Sequence, residues 1–160
     1  MIKNTNRGES RNNLPMKRLI VRAVYPLFRI YWYLVRPNTY GVKVVVEKNG
    51  KIFLVRHSYQ SDYWSFPGGG KKYGETLEET GRREIKEETN LTLDSIEYIG
   101  SFQIEEEYKH DHVYVYRAST GGDPKIDGVE IIEFLWHDPK ETLVFLPFGR
   151  KIMELYEKSI

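Results

Sequence analysis

The stretch Pro67–Leu91, PGGGKKYGETLEETGRREIKEETNL, constrains this chain of 160 residues more than any other. It opens on Pro67, Gly68, Gly69 and Gly70, with Gly74 close behind, so the backbone there can take positive φ or pass close to a ligand. Thr76 with Glu79 three residues on has the spacing of a capping box, which satisfies two amide donors that a helix start leaves without partners. From Leu77 the composition turns to Glu, Lys, Arg, Leu and Ile, mostly good helix formers. The reading is a glycine-rich turn feeding a capped helix.

On that helix Glu84, Glu87 and Glu88 stand at i, i+3 and i+4, which at about 100° per residue puts three carboxylates on one narrow face. Like charges this close repel, and each raises the pKa of its neighbours. A hard divalent cation resolves the conflict, because Mg²⁺ takes oxygen ligands and typically joins one or two carboxylates to substrate phosphates. A Glu-x-x-Glu-Glu on a charged helix would, by itself, be read as a solvated face.

The pattern here is longer. Gly69, five residues, Glu75, seven residues, Arg83-Glu84-Ile85, one residue, Glu87-Glu88, one residue, Asn90-Leu91 resembles the signature of the Nudix hydrolases, with eight of nine specified positions in agreement. The departure is Asn90, where the family has the helix-ending Gly. Asn is the commonest other occupant of a left-handed helix terminus, so the exchange is expected to leave the carboxylates in place. Lys72 stands where many relatives carry an acid. Thr80-Gly81 replaces two alanines, and Gly81 keeps the backbone clear for close packing while costing helix propensity of roughly 1 kcal/mol.

The length bounds the chain to one domain with an appendage. The absence of cysteine excludes disulfides, thiolate catalysis and a Cys-based zinc site. The formal charge of +1 conceals an asymmetry: residues 1–40 hold eight Lys/Arg against Glu9 alone, which leaves the remainder at −6. An acidic body gathers metal ions, whereas a basic arm favours phosphates or anionic membrane surfaces.

Residues 1–38 are expected to form an N-terminal extension: a polar tail, then a helix over 16–35 kinked at Pro26. Arg18, Arg22, Arg29 and Arg36 make one stripe of that helix and interrupt any apolar span long enough to cross a bilayer. The apolar remainder can pack on the domain or on a second subunit of a homodimer. It can also lie on a membrane surface through residues 16–36, with Trp32 and Tyr33 as anchors. Nucleic acid is the least favoured partner. No secretory signal pattern precedes it, and a cytoplasmic location fits, with membrane association through this helix as the variant.

Residues 39–160 read as the catalytic domain. Strands are expected over 41–47 and 51–56, joined by a hairpin at Asn49-Gly50, then over 96–104, 112–118 and 130–136, with a charged loop at 105–111 and a closing helix at 148–158. Trp64 is assigned to the core, while Tyr59 and Tyr63 are open between core and base stacking. The fold class is α/β. Periodicity leaves its topology open, and the resemblance supplies an α/β/α sandwich with a mixed sheet.

Nudix hydrolases cleave the pyrophosphate bond of a nucleoside diphosphate linked to another moiety, with a divalent metal. The resemblance therefore implies Mg²⁺ or Mn²⁺ held by Glu84, Glu87, Glu88 and the Gly68 carbonyl, and a small-molecule nucleotide diphosphate of the ADP-ribose kind or a related one. It further implies substrate contacts at His57, Tyr63, Gly69 and Gly70, and a structural role for Glu75 and Arg83, with Arg83 turned away from the metal face toward Glu75 and Glu79. Candidates for the general base are Glu84 or Glu87 in the signature and Glu130 outside it, with Glu106 and His112 behind them. The other class of reading is a catalytically weak domain of the same family that senses nucleotides. An isomerase of prenyl diphosphates on this scaffold ranks low, because its Cys nucleophile is missing.

Overall fold

The computed structural model of the protein describes residues 38–59, 62–106, 109–126, 128–143, 145 and 147–160. The tail and helix expected before residue 37 lie outside these, as does the side chain of Glu106. The elements follow as β1 (Asn38–Lys48), β2 (Lys51–His57), α1 (Leu77–Thr89), β3 (Ser95–Glu106), β4 (Lys109–Ser119), β5 (Ile131–His137) and α2 (Pro147–Glu157). Among the described residues no helix is long and apolar enough to cross a membrane.

The strands form one sheet in the order β3-β4-β1-β2-β5. β1 runs parallel to β4, and the other pairings are antiparallel, so the sheet is mixed. Asn49 and Gly50 both take positive φ, 52° and 73°, the conformation that a two-residue hairpin matching the strand twist requires. The charged loop expected at 105–111 is mostly strand: β3 runs on to Glu106 and β4 begins at Lys109, because the ladder pairs Glu105 with His110. Charged side chains do not end a strand whose backbone partners continue.

Both faces of the sheet are covered, which explains the unbroken valine run of β1. Val42, Val44, Val46, Phe53 and Val55 pack with Ile85 and Leu91 on the side of α1. Val45, Ile52 and Leu54 point the other way, onto Ile152, Met153 and Tyr156 of α2. Helix, sheet and helix form the expected α/β/α sandwich.

β1 and β2 stay paired only near the hairpin, at Glu47 with Ile52 and Lys48 with Lys51. Beyond that they part, and the chain from Ser65 to Lys71 fills the gap. Val42 and Val44 donate to Gly69 O (2.9 Å) and Pro67 O (3.0 Å), while Val55 and Ser65 exchange both backbone bonds. The glycine turn is thus held like a strand, on both sides, by main-chain bonds.

α1 begins as its sequence requires. The Thr76 hydroxyl accepts from Glu79 N at 3.2 Å and Glu79 Oε2 accepts from Thr76 N at 2.7 Å, a box worth about 1 kcal/mol. The helix ends on Asn90, left-handed at φ 57°, whose N–H reaches Lys86 O. Ile85, fully buried, anchors the helix, and truncation to Ala would cost about 2–5 kcal/mol. Gly81 lies directly on β1: a Cβ there would stand 3.3 Å from Val42 Cγ1 and from Ile96 Cδ1.

Candidate active site

The fold of the turn is dictated by lack of room. Gly68 has φ +126°, and a Cβ on it would collide with the Val42 carbonyl, so only glycine fits. Its N–H donates to Glu88 Oε2 at 2.9 Å, and its carbonyl accepts from Lys43 Nζ at 2.8 Å. Gly69 lies against the next acid, since a Cβ there would come within 2.6 Å of the Glu84 carboxyl carbon. Turn and helix therefore meet through Glu84 and Glu88, and bare backbone is what lets them.

The three acids do not share one environment. Glu84 and Glu87 receive Arg83 Nη1 at 2.7 and 3.2 Å, and exposed Glu87 also faces Lys72 Nζ at 3.4 Å. Glu88 is more deeply set, and burial pushes its pKa up to about 7 against the pull of Lys43 and the Gly68 N–H. Arg83 ties turn to helix through Glu75 and the Gly70 carbonyl, as expected of it, but it does not turn away from the acids. Glu79 is spent on the Thr76 cap, which leaves Arg83 free to reach Glu84 and Glu87.

Two residues from elsewhere join Glu88. One ligand atom each from His57, at the end of β2, Glu88 and Glu130, just before β5, lie within 4.8 Å of one another. A backbone bond from Ser58 N to Glu130 O, 2.8 Å, fixes the two loops together. His57 is 4% exposed, its ring stacks on Tyr59 with centroids 5.0 Å apart, and its Nδ1 is buried with no hydrogen-bond partner among the described residues. Burial, aided by Lys43, lowers its pKa to about 4, so the imidazole is neutral at physiological pH.

Lys43 is the residue at this site that the sequence did not single out. Burial lowers its pKa, resisted by Glu88, Glu84 and Glu130. The signal was a lone ammonium inside Val42-Lys43-Val44-Val45-Val46, where a strand covered on both faces has no place for one. It stands at the border between the acids and a cleft of about 460 Å³ on the α2 side of the sheet, lined in part by Thr39, Tyr40, Tyr59, Gly70, Asp111 and Phe148. Gly68 and Gly69 line the cleft too. Tyr63 is exposed and is not among its lining residues. His112 stacks on Tyr40 and meets Gln103, outside the acid group.

A glycine turn locked into the sheet, with buried and paired acids facing it from one helix, is the arrangement that the signature encodes, and the comparisons with known proteins agree. The NUDIX domain matches residues 36–156. The chain belongs to the NUDIX domain family. Among curated relatives of this Nudix chain, a candidate 8-oxo-dGTP diphosphatase of Bacillus subtilis (strain 168) is 31% identical over 68% of this chain and 71% of its own length. The CTP pyrophosphohydrolase of Escherichia coli (strain K12) is 28% identical over 65% of this chain and 78% of its own. The NAD-capped RNA hydrolase NudC of Vibrio atlanticus (strain LGP32) is 29% identical over 73% of this chain but only 44% of its own, so the match spans less than half of that enzyme. Such relatives make this chain a hydrolase of phosphoanhydride bonds.

Solved structures carry the same fold. A MutT protein from Methanosarcina mazei Go1 superposes with a TM-score of 0.69 at 24% identity, over 78% of this chain and 96% of that one. The NUDIX domain of Shewanella oneidensis NrtR, solved with ADP ribose, gives 0.64 at 16% identity, over 78% and 88%.

Proposed function

We propose that this Nudix protein hydrolyses, with a divalent metal, the pyrophosphate bond of a nucleoside diphosphate linked to another moiety. The observation that carries the reading is the Gly68 peptide, whose N–H is held by Glu88 while its carbonyl faces a cation, Lys43, at the mouth of the cleft. The donor set fits a hard ion: carboxylates and a backbone carbonyl, with the Gly69 Cα leaving the space that a side chain would take from Glu84. Glu84, Glu87, Glu88 and the Gly68 oxygen would hold Mg²⁺ or Mn²⁺. When bound, such an ion neutralises the diphosphate and lowers the pKa of water beside it.

The chain's own groups do the rest. Lys43 offers a fixed positive charge to the diphosphate as it passes from the cleft to the acids. Glu130, brought beside Glu88 and His57, is the base outside the signature best positioned to take the proton of the attacking water. The water oxygen then bonds to phosphorus, the anhydride P–O bond breaks, and the leaving phosphate carries away the electron pair. Tyr40, Tyr59 and Phe148 give the cleft aromatic surface for the nucleoside.

The test is incubation with Mg²⁺ or Mn²⁺ and a panel of ADP-ribose, dinucleoside polyphosphates, nucleoside triphosphates and capped RNA. Release of a nucleoside monophosphate, or of pyrophosphate from a triphosphate, is expected and should fall by about a thousandfold in Glu88→Gln. Inertness across the whole panel would sink the enzymatic reading and leave a domain that binds nucleotides without cleaving them.

A further inference from the structure

The cleft holds a polar pair at the end away from the acids. Thr39 of β1 and Asp111 of β4 are register partners, so their side chains stand side by side on the α2 face of the sheet, and both line the cavity. Ile104, Val113 and Phe148 make the surroundings apolar. The half-buried Asp111 already interacts within the protein, and a carboxylate with about four acceptor positions has room for a ligand's donors as well. The hydroxyl beside it is an orphan. Thr39 Oγ1 is shut off from solvent with no hydrogen-bond partner among the described residues, a cost that a folded interior rarely bears without a use.

The place of the pair sets what can reach it. Gly41 and Lys43 follow Thr39 on the same face of β1, and Lys43, four residues on, is about 13 Å away at the rise of a strand. Lys43 bonds the Gly68 carbonyl and so marks the acid end, where the diphosphate is proposed to lie. Gly41 carries no side chain between them, and a Cβ there would meet only Gly69 O, at 3.6 Å, so the floor stays open midway. A nucleotide with its phosphates at Lys43 lays its ribose over Gly41 and brings the far edge of its base to Thr39 and Asp111. The opposite direction would set a phosphate against a carboxylate, which repels it.

Base edges differ in what they offer. Guanine carries N1–H and its 2-amino group side by side, two donors that one carboxylate accepts as a fork, and next to them O6, which accepts from a hydroxyl. Adenine and cytosine offer one amino donor beside a ring-nitrogen lone pair, which would face the second carboxylate oxygen, and uracil offers one N–H between two carbonyls. We propose that Asp111 and Thr39 read the base and make the chain selective for guanine nucleotides, Asp111 accepting from N1–H and the 2-amino group while Thr39 donates to O6. The inference rests on the nucleotide-hydrolase reading above and deepens it.

Titration calorimetry of the full chain with Mg²⁺ decides it, using α,β-methylene-GDP, α,β-methylene-IDP, which lacks the 2-amino group, and α,β-methylene-ADP. The native protein should bind the GDP analogue at least about tenfold more tightly than the ADP analogue, with the IDP analogue between them. Asp111→Asn keeps the shape but replaces one acceptor by a donor, the pattern that fits adenine, so the order of the GDP and ADP analogues should reverse. Thr39→Val, which removes only the hydroxyl, should narrow the native preference several-fold. Hydrolysis of diguanosine and diadenosine tetraphosphate should follow the same orders in kcat/KM. Equal affinities in the native protein, or a preference unchanged in Asp111→Asn, would overturn the base reading and leave the hydrolase reading standing. Equal weakening of all three analogues in Asp111→Asn would put the carboxylate on the ribose and overturn it too. No binding of any analogue and no cleavage of either tetraphosphate would overturn both.

Discussion

Lys43 Nζ donates to the Gly68 carbonyl across 2.8 Å, so the oxygen proposed to take a metal already serves a tethered cation. An ammonium and a divalent ion held at one carbonyl oxygen repel each other.

Removing that competitor is the first prediction. Lys43→Met keeps the length of the side chain and deletes its charge, and a charge-assisted hydrogen bond is worth about 1.5–3 kcal/mol. Mn²⁺ alone should bind about tenfold more tightly to the variant, read by titration calorimetry. Binding of α,β-methylene-ADP to the Mn²⁺-loaded protein should weaken by a similar factor. A misfolded variant would lose both, so the opposite signs are the signature, and unchanged metal affinity would refute the competition.

Gly69→Ala separates site from fold. The new Cβ would lie 2.6 Å from the Glu84 carboxyl carbon, the movable end of a side chain, so the carboxylate shifts while the backbone holds. Turnover should fall at least about tenfold, a barrier increase of about 1.4 kcal/mol, with a melting temperature within a few degrees of the native protein. A large drop in melting temperature with normal turnover per folded molecule would contradict it.

Asn90→Gly should do the reverse. Asn90 sits at φ 57°, a conformation that glycine takes without steric penalty. The exchange should raise unfolding free energy by up to about 1 kcal/mol and leave kcat and KM alone. A change in turnover would show that Asn90 does more than end the helix.

The turn is also acid-sensitive, through Glu75. Arg83, with help from Lys72 N–H and the Thr80 hydroxyl, holds the Glu75 pKa down to about 2 against the ordinary 4.5. In that window the unfolded chain binds more protons than the native one, so the stabilisation is full above about pH 4.5 and is lost as pH falls toward 2. Urea midpoints of the native protein and Glu75→Gln should differ most near neutrality and converge as pH falls through that window. A gap independent of pH would mean that the carboxylate charge is not the stabilising element.

The Gly-rich turn, capping box, helix and mixed α/β/α fold were legible because each is encoded in a few consecutive residues or in a signature at fixed spacing. Glu84, Glu87 and Glu88 could be placed on one helical face for the same reason. What the local pattern could not express was that Glu88 turns inward to His57 and Glu130, since those come from the ends of β2 and of the segment before β5 and meet only in the folded sheet. Arg83 was misjudged in direction because the demand of the Thr76 cap on Glu79 outweighed an ion pair along the helix. Tyr63 and Tyr59 were indistinguishable as letters; both are exposed, and only the fold shows that Tyr59 lies on the His57 ring.

The glycine turn, residues 65–71, borrows ladder bonds from β1 on one side and β2 on the other, which ties its position to the integrity of the barrier between the two cores. It cannot drift or change length without unzipping its neighbours. Any change in length is therefore pushed outward, to the rim where β3 meets β4, while the turn stays as stiff as the interior that holds it.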